Sequence, residues 1–184
     1  MSGKVLLFLA VAWAAWLAPF FVMQRRRGPS TPQTVDRRAR WGIGLQAVSF
    51  TMVWFSPWWI RTLPAWRLGA GALLLGLAIL LSWTGAFTLG RQWRIDAGLN
   101  PDHELVRSGP YRVVRNPIYA SMLCLLLGAG LLLTRPVVLI IAALIHITGI
   151  EIRVKIEEQL LAARFGATFE RYRREVPAYI PVVR

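Results

Sequence analysis

Apolar residues gather in five long runs separated by short polar stretches. The first covers residues 3–23, the second Trp41 to Ile60 and the third Trp66 to Leu89; the fourth runs from Pro117 to Leu133 and the fifth begins at Val137. Crossing a hydrocarbon core of about 30 Å takes roughly 20 helical residues, so this pattern predicts an all-α integral membrane protein with five transmembrane helices. Arg25-Arg26-Arg27 directly follows the first run. That cluster behaves as an orientation signal and not as a cleavage region, so the first run reads as a retained span rather than a signal peptide. Gln24 to Arg40, with Pro29 and Pro32, reads as a loop, and Thr134-Arg135-Pro136 as the turn between the last two spans. No internal repeat or low-complexity tract is visible.

Charge changes the picture by fixing an orientation. The chain carries 22 Lys and Arg against 9 Asp and Glu, a formal net charge of +13 on a 55% hydrophobic composition. With the N-terminus outside, segments 24–40, 90–116 and 151–184 lie inside and hold 18 of those 22 cations, together with all nine acids. The outside is left with Lys4, Arg61, Arg67 and Arg135. This follows the positive-inside rule, so the surplus reports topology and anionic membrane lipids as neighbours, and no nucleic acid partner is expected. The single Cys124 lies in an apolar run and there are two histidines, which excludes an intramolecular disulfide and leaves no metal site to expect. Nothing in the pattern speaks to oligomeric state.

The fifth run is too short for its task. Val137 to Ile150 is 14 residues, about 21 Å of helix against a core of about 30 Å. To cross, this helix carries Glu151 and Arg153 toward the boundary, and its pattern continues helically through Ala163 into the cytoplasm. His146, Ile150, Arg153 and Glu157 follow at steps of four, three and four, which stacks them on one stripe. Two readings are open on spacing alone: Arg153 and Glu157 face a cavity, or Arg153 snorkels to headgroups and pairs with Glu157.

Between the third and fourth runs stands His103-Glu104-Leu105-Val106, then Ser108-Gly109-Pro110-Tyr111 and Arg115-Asn116-Pro117-Ile118-Tyr119; beyond the fifth come Glu157-Glu158, Phe165-Gly166, Tyr172 and Val176-Pro177-Ala178-Tyr179-Ile180-Pro181. Each has a local reading. Ser108-Gly109-Pro110 is a turn, Asn116 with Pro117 is an N-cap and first helical position, and Gly166 ends the long helix. In their order, H-x-L-V-x-x-G-x-Y, R-N-P-x-Y, a helical hairpin, E-E-x-x-L-x-x-x-F-G and V-P-x-x-I-P, they resemble the isoprenylcysteine carboxyl methyltransferase family and its bacterial relatives over about residues 87–184.

The resemblance implies a membrane enzyme that uses S-adenosyl-L-methionine. It places His103, Glu104, Leu105, Val106, Tyr111, Asn116, Pro117, Ile118, Tyr119 and Glu157 at the cofactor, and Arg153 at the substrate. It divides the chain into three N-terminal spans (1–89) and a methyltransferase-like region (90–184). The family has His at the position of Asn116 and Gly at that of Ala120, and its cofactor-contacting Gln aligns near Asp96. The expected acceptor is a lipophilic carboxylate drawn from the bilayer, with the active site facing the cytoplasm of a bacterial inner membrane. Such a nucleophile is ionised at neutral pH, which suits a site with no Ser-His-Asp or Cys-His arrangement. The alternatives are a phospholipid N-methyltransferase, a sterol-type reductase, whose region reads D-E-x-R-C-x-x-K-Y-G where this chain has E-E-Q-L-L-A-A-R-F-G, and a non-catalytic lipid-binding protein of the same fold.

Overall fold

The structure, a computed structural model, describes residues 3–26, 34–56, 63–95, 97–99 and 103–179. Its helices are α1 (Gly3–Arg26), α2 (Ala39–Phe55), α3 (Ala65–Leu89), α4 (Pro117–Leu133), α5 (Pro136–Phe165) and α6 (Ala167–Glu175). Of these, α1, α3 and α5 are long and apolar enough to cross a membrane, and α4 is a shorter apolar helix. Large apolar side chains such as Leu7, Phe21, Leu73, Leu80, Ile140 and Leu144 stand exposed on the bundle's outer surface, while Ser49, Ser82, Ser121 and His146 are buried within it. A helical membrane protein is built in this way, because lipid solvates the apolar exterior and polar side chains find partners inside.

The elements depart from the expected ones at their ends. The first helix runs on to Arg26, into the segment expected as loop, and α2 starts at Ala39 and stops at Phe55; residues 57–60, expected in the second span, lie outside the described residues. The all-α expectation also misses one small feature. Thr34–Val35 pairs antiparallel with Gly98–Leu99 as β1 and β2, and Asp36 N donates to Ala97 O at 3.1 Å beside them. Helix α4 begins and ends where the fourth apolar run does, and α5 continues as one helix to Phe165. Gly166 then stops it at φ 52°, a conformation that costs glycine little, and the short α6 turns back with Phe169 and Tyr172 buried.

Two close crossings organise the bundle: α3 packs along α4, and α2 along α5. Both are made by paired glycines, as expected where helices associate without a hydrophobic drive. A Cβ on Gly128 would stand 3.0 Å from Leu75 Cγ and 3.1 Å from Gly71 O, and one on Gly149 would stand 2.8 Å from Gly42 O. Gly76, on the same helix as Gly71, has nothing within 4 Å of such an atom. Gly128→Val is therefore expected to cost about 1–3 kcal/mol by overpacking, read as a lowered melting temperature in detergent. Gly76→Val should leave it unchanged, and equal melting of the two variants would refute the crossing.

Buried polar groups tie the same helices together. The Ser49 hydroxyl donates to Gln46 O at 2.7 Å and lies 2.8 Å from His146 Nδ1. That contact joins α2 to α5 inside the bundle. Trp16 Nε1 donates to Ser121 Oγ at 3.1 Å, joining α1 to α4. At the bundle end formed by the starts of α3 and α5, Arg67 Nη2 donates to Thr134 O at 2.6 Å, setting a cation at the C-terminus of α4, where the helix dipole favours one.

Candidate active site

The turn before α4 and the charged extension of α5 meet. Tyr111 starts the junction: its ring is buried and its carbonyl accepts from the Tyr172 hydroxyl at 2.7 Å, so α6 is pinned to the turn. Burial pushes the Tyr111 phenol well above its ordinary range and that of Tyr172 up to about 12, so both remain hydroxyls at physiological pH. The following residues accept the C-terminal segment as a strap. Arg115 N donates to Pro177 O at 2.8 Å and Asn116 N to Ala178 O at 3.0 Å. The Arg115 side chain closes the same joint, with Nε 3.0 Å from Glu158 Oε1 and Nη1 donating to Arg173 O at 2.8 Å and to Val176 O.

Asn116 differs from its local reading. It precedes α4 and Pro117 takes the first helical position, but the amide makes no cap; its Nδ2 donates instead to Ala178 O at 3.3 Å. One residue past the proline-led turn, Ile118 and Tyr119 point inward on α4. The Tyr119 hydroxyl donates to Glu157 Oε1 at 2.5 Å, and the same oxygen lies 3.4 Å from Arg153 Nη2. The Arg153 guanidinium carbon sits 5.4 Å from the Tyr119 ring centroid, and Nη2 also donates to Ile95 O at 2.6 Å. Of the two readings open for the α5 stripe, the inward one is found: His146, Ile150 and Arg153 are buried and face the bundle.

These groups border a cavity of about 410 Å³, within the range of small-molecule sites. Of the residues singled out in the sequence, His103, Tyr111, Asn116, Ile118, Tyr119, Arg153 and Glu157 line it. Glu104, Leu105, Val106 and Pro117 are not among its walls; Glu104 is exposed and Pro117 is buried, with its ring 3.6 Å from where a Cβ on Gly85 would stand. Sequence reasoning missed other parts of the wall. Trp16, Leu17, Phe20 and Phe21 of α1 and the stretch Gln92 to Ile95 complete the cavity, with Phe20 stacked on Trp93 at 5.3 Å between centroids. The α1 residues recur at helical spacing, which in a sequence is indistinguishable from a packing stripe.

Fold and cavity define a helical membrane protein with a cavity where α4 begins and α5 extends past its apolar part. The sequence model of the phospholipid methyltransferase family matches residues 66–168, more than half the chain, and the chain belongs to that family. It is 36% identical over 84 residues to the protein-S-isoprenylcysteine O-methyltransferase of Schizosaccharomyces pombe, covering 46% of this chain and 36% of that protein. It is 28% identical over 128 residues to protein-S-isoprenylcysteine O-methyltransferase B of Arabidopsis thaliana, covering 68% of this chain and 61% of that protein. It is also 32% identical over 110 residues to the cobalt-zinc-cadmium resistance protein CzcN of Cupriavidus metallidurans, covering 59% and 50% of the two chains. The resemblance read from the motifs is thus met by named relatives, of whose lengths the chain spans between 36% and 61%.

Proposed function

We propose that the protein is an S-adenosyl-L-methionine-dependent methyltransferase that esterifies a lipophilic carboxylate, an isoprenylcysteine-like compound or another small isoprenoid or lipid acid. In this reading it crosses a bacterial inner membrane five times with its N-terminus outside. Residues 90–184 form the catalytic region, and the cavity opens at the cytoplasmic face. The observation that carries it is the convergence of Tyr119, Glu157 and Arg153 on one cavity that apolar side chains of α1 also line.

The residues present suit the cofactor. Tyr111, Tyr119 and Trp93 offer aromatic surface for an adenine, and the Glu157 carboxylate and the buried Gln92 Oε1, which has no hydrogen-bond partner among the described residues, offer acceptors for hydroxyl or ammonium groups. His103, Tyr111, Asn116, Ile118, Tyr119 and Glu157 would hold it. When bound, S-adenosyl-L-methionine supplies an electrophilic methyl group on a sulfonium. The protein's own tasks are then alignment and exclusion of water. An ionised carboxylate needs no general base, and Arg153 is placed to orient it. Arg153 Nε is buried and takes no hydrogen-bond partner among the described residues, an unfilled donor of the kind a bound acceptor or water completes. The apolar α1 wall suits the acceptor's hydrocarbon part.

Calorimetry with S-adenosyl-L-methionine and S-adenosylhomocysteine tests the cofactor step, and absence of heat at high ligand would sink it. Glu157→Ala removes a charged acceptor worth about 1.5–3 kcal/mol, so affinity should fall roughly 10- to 100-fold. The family match keeps one rival in play, methylation of a phospholipid amine. A labelled methyl group recovered as a base-labile product supports the ester; a base-stable one supports the amine.

A further inference from the structure

α2 carries none of the motifs, yet it sets where the site's arginine lies. Its buried positions are Ala39, Gly42, Gln46, Ser49 and Val53, one stripe at steps of three and four, and they face the α5 stripe of His146, Gly149 and Arg153. A Cβ built on Gly42 would stand 2.5 Å from Arg153 Cγ, 3.3 Å from Arg153 Cδ and 2.5 Å from Gly149 O. The aliphatic stem of Arg153 thus lies flat against the bare backbone of Gly42. Beyond that support the side chain is held at its end by Ile95 O at 2.6 Å and along its plane by the Tyr119 ring. Ile95 itself belongs to the segment that β1–β2 pairing and the Asp36 N to Ala97 O bond fasten to the entry of α2. With the 3.4 Å contact to Glu157 Oε1 as the fourth, two of the four restraints on the side chain therefore trace to α2 and the residues just before it.

We propose that Gly42 is a positioning residue: by offering no side chain, it lets Arg153 lie along α2 and present its guanidinium to the acceptor's carboxylate. The inference rests on the acceptor-orienting role of Arg153 proposed above. A methyl group at position 42 meets a backbone oxygen on one side and a flexible stem on the other. The backbone oxygen of Gly149 cannot turn aside, so the α2–α5 crossing opens at this point, and the Arg153 stem, struck at the same 2.5 Å, is displaced together with its guanidinium. A shift of about 1 Å in a reacting or orienting group costs on the order of 100-fold in rate.

The experiment is a double-mutant cycle on the full chain, with calorimetry of S-adenosyl-L-methionine and methylation of N-acetyl-S-farnesyl-L-cysteine as readouts. Gly42→Ala should keep cofactor affinity within about threefold while kcat/KM for the acceptor falls about 10- to 100-fold. Joined to Arg153→Ala it should add nothing, because the two act through one guanidinium. Thermal unfolding supplies a second reading. Truncating Arg153 removes one of the two atoms that a new Cβ would strike at 2.5 Å, with Gly149 O remaining, so Gly42→Ala should lower the melting temperature in both backgrounds but less in the Arg153→Ala one. Additive losses of turnover, equal thermal losses in both backgrounds, or unaltered turnover in Gly42→Ala alone would each overturn the proposal. If Arg153→Ala keeps wild-type turnover, the role of Arg153 is what fails, and the inference falls with it. Cofactor binding without turnover of the probe by the wild type likewise removes the carboxylate reading and this inference.

Discussion

Replacing Arg153 with alanine is expected to lower turnover of N-acetyl-S-farnesyl-L-cysteine by about 100-fold or more while S-adenosyl-L-methionine still binds within about threefold. The asymmetry follows from where the side chain lies. Glu157, assigned to the cofactor, keeps its 2.5 Å bond from the Tyr119 hydroxyl when the arginine is gone. The contact it loses is the 3.4 Å pairing with Nη2, at the long end for an ion pair. The acceptor loses a planar, permanently charged donor that binds a carboxylate through two parallel bonds. Arg153→Lys restores charge without that fork, so its turnover should fall between wild type and Arg153→Ala. A fall in cofactor affinity equal to the fall in turnover would place Arg153 at the cofactor instead and would sink the division of labour proposed here.

The second large effect concerns architecture. Arg115→Ala should destabilise the protein by roughly 3 kcal/mol, because it breaks a largely buried pair and strands its partner. The side chains of Arg115 and Glu158 are 12% and 17% exposed, and the guanidinium also serves the carbonyls of Arg173 and Val176. No single replacement satisfies all three. Arg115→Lys, with one compact charge, should recover part of the loss. Since those carbonyls lie at the end of α6 and in the strap after it, residues 167–179 should become the first site of proteolytic cleavage in Arg115→Ala. Unchanged melting and an unchanged cleavage pattern would show that the strap is held by its backbone bonds to residues 115 and 116 alone.

Asn116 illustrates how far local reasoning carries. An Asn-Pro pair before an apolar run marks a helix start, and α4 does start there. What the amide does was not legible, because its acceptor is Ala178, 62 residues away. The stripe of His146, Ile150, Arg153 and Glu157 was legible for the opposite reason: within one helix, spacing alone dictates which side chains share a face. The same rule gave the faces of α1 and α2 no meaning. Trp16 and Phe20 look alike whether they fill a core or line a cavity, and Gly42 is one glycine among fifteen in the chain. The short α6 escaped notice because its apolar contribution is only Phe169 and Tyr172, docked on a distant turn.

By itself, the order of apolar runs determined that the chain forms apolar helices, because buried backbone in lipid must bond within its own segment. It also determined which α5 residues share a face and which motifs belong to one family. Only the tertiary structure decided that the turn at 103–119 and the α5 extension close on one cavity, that the C-terminal strap fastens to that turn, that α1 walls the cavity, and that α2 supports the arginine. Those contacts join residues far apart along the chain, and their geometry depends on how closely the glycine-bearing faces approach, which no single helix encodes.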